Sequence, residues 1–239
     1  MAQNKVHILS TRTLDEPWIR EAALKNITVD TISFIKTEPI SSIEMQQEVE
    51  HLATMQVTVV FTSANAVQAV AAELDGYRPD WKIFCIGYAT RDAVEKFFEK
   101  KSIAETASNA EDLAKAIIKK AHADDVVFFC GDQRRNELID NLKAADIEVN
   151  EVIVYQTTLI PQKVDKKYDG ILFFSPSAVK SFLQKNQPDA QTVLFAIGDT
   201  TANELRQIST NKIVVSSKPD KENLLKEMVA YFQRNPIHH

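Results

Sequence analysis

Twice in this chain an apolar run ends in a serine, and one small residue later a second hydrogen-bonding side chain precedes Ala-Val. VVFTSANAV (59–67) presents Ser63 and Asn65, and ILFFSPSAV (171–179) presents Ser175 and Ser177. Two other runs end in glycine followed by threonine: Gly87 and Thr90 in IGYAT, and Gly198, Thr200 and Thr201 in IGDTT. VVFFC leads to Gly131 and then Arg134 and Arg135, and VHIL leads to Thr11 and Arg12. Neutral donors, glycines that let a ligand approach the backbone, and a few guanidinium groups suit the gripping of a carboxylate or phosphate. Each Ser, Thr or Asn taken alone is also a good helix N-cap, and each arginine a solvated helix-start residue, so only the assembled set carries the functional reading. Tyr155 ends the run VIVY and reads either as a hinge-packing aromatic or as a phenol at a binding site.

What is missing narrows the chemistry. No G-x-G-x-x-G follows a strand, and neither G-x-x-x-x-G-K-[ST] nor G-x-S-x-G occurs, which removes dinucleotide, P-loop and nucleophile-elbow readings. His7, His51 and His122 stand apart from any Ser or Cys partner, and no metal-ligand spacing is present. The expectation is a protein without cofactor or metal that binds a polar small molecule through neutral donors.

The elements that must position these residues follow from the pattern. Short β-branched apolar runs alternate with amphipathic stretches over 15–25, 65–74, 89–99, 134–145, 177–185, 200–208 and 220–233, which predicts an α/β fold with parallel sheets covered on both faces. Ligands in such sheets bind outside the carboxyl ends of the strands, where helix N-termini present unpaired N–H groups. The 239 residues allow one large domain or two small ones, and internal repeats bear on which. FTSANAV and FFSPSAV lie 112 apart; FCIGYATRDAV (84–94) and FAIGDTTANEL (195–205) lie 111 apart, as do AEDLAKAI (110–117) and KENLLKEM (221–228). Residues 6–35 align with 126–155 at an offset of 120 without a gap, so the repeat units run A, B, A′, B′. Periodicity permits either two consecutive domains split near 120 or one domain inserted in the other, the latter favoured by the matched extended segments around Pro39 and Pro161.

Composition bounds the setting. With 44% hydrophobic and 26% charged residues the chain is an ordinary globular one, and a net charge of −5 argues against a general nucleic-acid binder. Cys85 and Cys130 lie inside apolar runs and read as free buried thiols of a reducing compartment. No apolar stretch is long enough to span a membrane, and MAQNKVHIL lacks the regions of a signal peptide, so a cytoplasmic monomer with neither membrane nor nucleic-acid partner is expected. His238 and His239 read as a tag remnant and are set aside.

The strings FTSANAV, IGYAT, FFCGDQRR…VYQT, FFSPSAV and IGDTTA, taken together from HILSTR to the last helix, resemble the uroporphyrinogen-III synthase family. The resemblance implies two flavodoxin-like parallel-sheet domains joined by a two-stranded β-ladder, with a cleft between them. Residues 1–36 plus 158–239 would form the first domain, 41–155 the inserted second, and 37–40 with 156–157 the linkers. It further implies a cofactor-independent lyase that cyclises hydroxymethylbilane, a linear tetrapyrrole with eight carboxylates, with loss of water and inversion of ring D. Residue by residue, Thr11 and Arg12 match the end of the family's first strand, Thr90 and Thr201 the threonine after each glycine turn, Arg135 the arginine of G-x-x-x-R, and Tyr155 the tyrosine of V-Y-Q, here given the catalytic role. Ser63, Asn65, Gly87, Gly131, Ser175, Ser177 and Gly198 complete the implied substrate-binding set. Where the family often has Glu directly after that arginine, this chain has Asn136 and then Glu137. A two-domain small-molecule-binding or sensor protein without catalysis is the rival reading, and turnover separates the two.

Overall fold

A computed structural model describes residues 5–237; the first four residues of the N-terminal stretch, and the two histidines read as a tag remnant, lie outside the described residues. The chain divides into two compact units, the first formed by residues 1–36 and 158–239 and the second by 37–157.

In the first unit, β1 (Val6–Ser10), α1 (Glu16–Ala23) and β2 (Ile27–Thr31) come from the N-terminal part of the chain. The second unit contains α2 (Ile43–Ala53), β4 (Thr58–Phe61), α3 (Ala64–Glu73), β5 (Lys82–Ile86), α4 (Tyr88–Phe98), β6 (Ile103–Ala107), α5 (Ala110–Lys120), β7 (Asp125–Gly131) and α6 (Glu137–Lys143). β3 (Ile35–Pro39) and β8 (Glu148–Leu159) carry the chain out of and back into the first unit, which is completed by β9 (Gly170–Phe173), α7 (Pro176–Leu183), β10 (Val193–Ala196), α8 (Asp199–Ile208), β11 (Ile213–Val215) and α9 (Lys221–Arg234). The segments 37–40 and 156–157, read as linkers from the sequence, lie largely within β3 and β8.

The first unit's sheet has the order β11-β10-β9-β1-β2, and its ladders are all parallel. The second sheet runs β3-β8-β7-β4-β5-β6, parallel from β8 to β6. In terms of the repeats the two orders are the same, β2-β1-β9-β10-β11 corresponding to β8-β7-β4-β5-β6. Beside β8, Ile40 N–H donates to Val154 O at 2.9 Å, and Ile160 N–H to Phe34 O at 2.8 Å. The two residue numbers sum to the same value in both pairs, which is antiparallel register.

Strands with side chains buried on both faces read as continuous apolar runs, and here alternate residues feed opposite cores. In the first unit Ile8, Leu172 and Phe195 pack with α9 through Leu224, Met228 and Phe232, while Leu9, Phe173 and Leu194 pack with α7 and α8 through Val179, Phe182 and Leu205. In the second, Val59, Phe61 and Phe129 face α2, α3 and α4, and Val60, Phe128 and Cys130 face α5 and α6. Among the described residues no helix is long and apolar enough to cross a membrane.

Phe61 closes β4 directly before Thr62 and Ser63, its ring 5.5 Å from that of Phe129 and 6.0 Å from that of Phe98. Phe61→Ala removes a fully buried ring from this stack and is expected to cost about 3–5 kcal/mol. A urea melt of the second unit, read by fluorescence of Trp81 against Phe98 and Phe129, measures it.

Candidate functional site

At the carboxyl edge of the second unit, β8, β7 and β4 lie side by side. β7 and β8 stay in register until Cys130 opposes Ile153; the next pair is Gly131 with Tyr155, so one residue of β8 is skipped. Such a bulge re-aims the side chains beyond it. The Tyr155 ring lies where a side chain at 131 would stand: a Cβ there would be 2.3 Å from its Cζ and 2.7 Å from its oxygen. The phenol therefore crosses the end of β7 toward Ser63, which follows β4 and lies near enough for its hydroxyl to act on the phenol's pKa.

Ser63 is the N-cap of α3, its Oγ accepting from Asn65 N–H at 3.2 Å. The Ser63 proton remains to be donated to the phenol oxygen, and the phenol proton remains to be donated elsewhere. Burial raises the Tyr155 pKa above its ordinary value, a shift that the Ser63 contact opposes only in part, so the group is a protonated donor across the neutral range.

Around this centre the implied residues divide. Asn65 is exposed in the first turn of α3. Gly87 caps α4 at φ +80°, a left-handed conformation that favours glycine, whereas Thr90 is buried within that helix. Arg134 is held by Glu151 and by Asn136. Arg135 is exposed, and among the described residues no carboxylate makes an ion pair with it. Asn136, at the position of the family glutamate, thus serves Arg134, and Glu137 opens α6.

At the carboxyl edge of the first unit, Ser175 caps α7 by accepting from Ala178 N–H at 3.1 Å, Pro176 occupies the first turn, and Ser177 is half-buried there. Arg12 is exposed with its guanidinium 5.4 Å from the Phe174 ring centroid. The Thr11 hydroxyl is buried and donates to Leu172 O at 2.8 Å, so it ties β1 to β9. Thr201 is buried in α8. Gly198, with φ −177°, is extended backbone open to any residue, so of these two glycines only Gly87 is left-handed.

Cys85 and Cys130 are free and buried, and burial raises both thiols, Cys130 to about 11, with Glu151 adding to it. Among the described residues no group of three His, Cys, Asp or Glu side chains is placed to hold a metal ion. Sequence reasoning passed over Asp132, whose backbone N–H donates to Tyr155 O at 3.1 Å and whose carboxylate accepts from Thr157 N–H at 2.8 Å. Its one signal was its place directly after Gly131.

The family model described as "Uroporphyrinogen-III synthase HemD" matches residues 18–226. The chain belongs to this family. The uroporphyrinogen-III synthase of Schizosaccharomyces pombe is 29% identical over 167 residues, an alignment covering 64% of each chain, so the chain spans just under two thirds of that relative. The Saccharomyces cerevisiae uroporphyrinogen-III synthase is 25% identical over 211 residues, covering 77% of this chain and 76% of its own. The crystal structure of uroporphyrinogen-III synthetase from Helicobacter pylori shares the fold with a TM-score of 0.63 at 16% identity, over 95% of this chain and 99% of that one. Within the uroporphyrinogen-III synthase family match fall Tyr155, Gly131 and Ser63; Thr11 and Arg12 precede it.

Glycine at 131 is set by the close approach of Tyr155, whereas a Cβ at Gly198 first meets Pro219 at an ordinary 3.7 Å. Gly131→Ala is expected to cost about 1–3 kcal/mol by overpacking, and Gly198→Ala about 1 kcal/mol or less as a helix-cap change. Paired thermal melts check the contrast, and equal losses would contradict this account of Gly131.

Proposed function

We propose that this protein is a uroporphyrinogen-III synthase that cyclises hydroxymethylbilane without a cofactor, acting as a cytoplasmic monomer. Family membership supports the activity, and the phenol of Tyr155 laid across Gly131 beside Ser63 is the observation that carries the chemistry. In this reading the ring-A hydroxyl leaves as water, taking up one proton. The azafulvene cation left behind is attacked by the substituted carbon of ring D. The resulting spiro intermediate fragments and recloses with ring D inverted, and the ring system then returns the proton. The pyrrole nitrogens supply the electron push, so the protein's task is to hold the chain ends and stabilise the leaving hydroxyl.

A half-buried, protonated phenol suits the last task, since it donates a hydrogen bond without ionising. The exposed guanidinium groups of Arg12 and Arg135 and the N-termini of α3, α4, α7 and α8 suit the substrate carboxylates. Ser63 and Ser175 would act as caps that fix the N-termini of α3 and α7, with Asn65 as an exposed donor, Ser177 as a half-buried one and Gly87 shaping the turn that opens α4. Thr11, Thr90 and Thr201, being buried, would shape the edges from beneath.

Turnover of hydroxymethylbilane to the inverted isomer III tests the assignment, and binding without turnover would favour a sensor. Tyr155→Phe deletes one oxygen while keeping the ring over Gly131. It should fold normally, lower kcat at least tenfold and release substrate to spontaneous closure as the uninverted isomer I. A variant that keeps full rate and makes only isomer III would leave the ring a packing role. Substrate affinity should also fall as salt rises, because exposed guanidinium–carboxylate attraction is screened; titrations at two ionic strengths measure this.

A further inference from the structure

The Tyr155 phenol is aimed by a strand end at which the regular ladder has stopped. Gly131 is the last residue of β7 to pair with β8, and it does so only after the skip at Cys130. Beyond it β7 offers no further strand, yet β8 continues to Leu159. Asp132 replaces the missing ladder. Its backbone N–H donates to Tyr155 O at 3.1 Å, and its Oδ1 accepts from Thr157 N–H at 2.8 Å, so one residue grips β8 at the tyrosine and two residues past it. The other carboxylate oxygen accepts from the Gln133 side chain at 3.2 Å, which fixes the carboxylate's rotation. A carboxylate bond to an amide is stronger than a neutral one, and Asp132 is itself exposed, so it holds the strand while remaining solvated.

We propose that Asp132 is a positioning residue for Tyr155: its clasp on the Tyr155–Thr157 backbone holds the bulged end of β8 so that the phenol stays over Gly131 and against Ser63. The inference rests on the catalytic reading of Tyr155 given above. A clasp that merely ended β7 would contribute stability alone. One that aims the phenol must also show in turnover, because a misplacement of about 1 Å can cost on the order of a hundredfold in rate.

Asp132→Ala and Asp132→Asn separate these. Alanine removes the acceptor for Thr157 N–H, while asparagine keeps an oxygen at the same reach and removes the charge. Because Asp132 is exposed, neither change opens a core cavity. In Asp132→Ala the Thr157 amide should exchange with solvent about tenfold faster, kcat should fall about tenfold with KM within about twofold, and isomer I should rise as a share of product. Asp132→Asn should bring all three back to within about twofold of the parent protein. The proposal is overturned if Asp132→Ala speeds exchange at Thr157 but leaves kcat and the isomer ratio unchanged. It is equally overturned if KM rises in place of the kcat loss, or if asparagine fails to restore turnover. A parent protein that does not cyclise hydroxymethylbilane at all would instead remove the reading beneath the inference. Loss of the positioning role alone is recognised by an active parent and an indifferent alanine variant.

Discussion

A parallel strand cannot be joined to its neighbour by a tight turn, because the chain must travel back the full length of the sheet before it can start again in the same direction. In both units of this protein that return is made mostly by helices, and the sheets are covered on two faces as a result. The same constraint places the carboxyl ends of the strands on one edge, followed there by helix starts. Helix starts carry unpaired N–H groups and demand caps, so the edge becomes polar even though every strand leading to it is apolar. The two units obey this with one strand order although the chain supplies their strands in different sequence: β1 and β2 precede β9 to β11, whereas β4 to β6 precede β7 and β8.

Capping and ligand binding then compete for the same atoms. Ser63 and Ser175 each give an oxygen lone pair to an α-helix N–H, and the cap is what their position after a strand requires. A hydroxyl has both a proton and lone pairs, so the cap leaves Ser63 free to donate to Tyr155. Thr11 has no such surplus, because its proton is already committed to Leu172 O. Charge follows a similar division. A chain of net charge −5 still exposes Arg12 and Arg135 at strand ends, while the neighbouring Arg134 is neutralised by Glu151.

The central strands were legible because burial on both faces demands unbroken apolar residues, as in VVF at 59–61 and ILFF at 171–174. The edge strand β6, IAETA, is half-buried throughout and carries no such run, and α2 escaped the alternation because it follows an extended segment rather than a strand end in the repeat. At the site the sequence indicated which edge, but not which way each side chain faces. Thr90 and Thr201 stand three residues after a glycine just as an exposed donor would, yet both turn into the protein. Gly87 and Gly198 occupy equivalent positions with unlike backbones, so equivalence in a repeat does not carry conformation with it. The approach of Tyr155 to Gly131 spans two strands and depends on a one-residue skip, a feature that leaves no trace in composition or periodicity.

The repeat offset of 120 makes one further comparison possible, since Gly131 corresponds to Thr11 and Tyr155 to Ile35. In the second unit the strand-end residue has no side chain and an aromatic ring fills the space; in the first the strand-end residue is a threonine whose hydroxyl is bonded to the neighbouring strand. A ring like that of Tyr155 has room only because residue 131 has no side chain. The position after each differs as well: Asp132, which grips β8, corresponds to Arg12, which lies over Phe174. The Thr11 hydroxyl is buried and committed to Leu172 O, whereas the Tyr155 hydroxyl is only half-buried and keeps its proton to donate. That asymmetry between two otherwise matched sheets is what sets Tyr155 apart from the other strand-end residues.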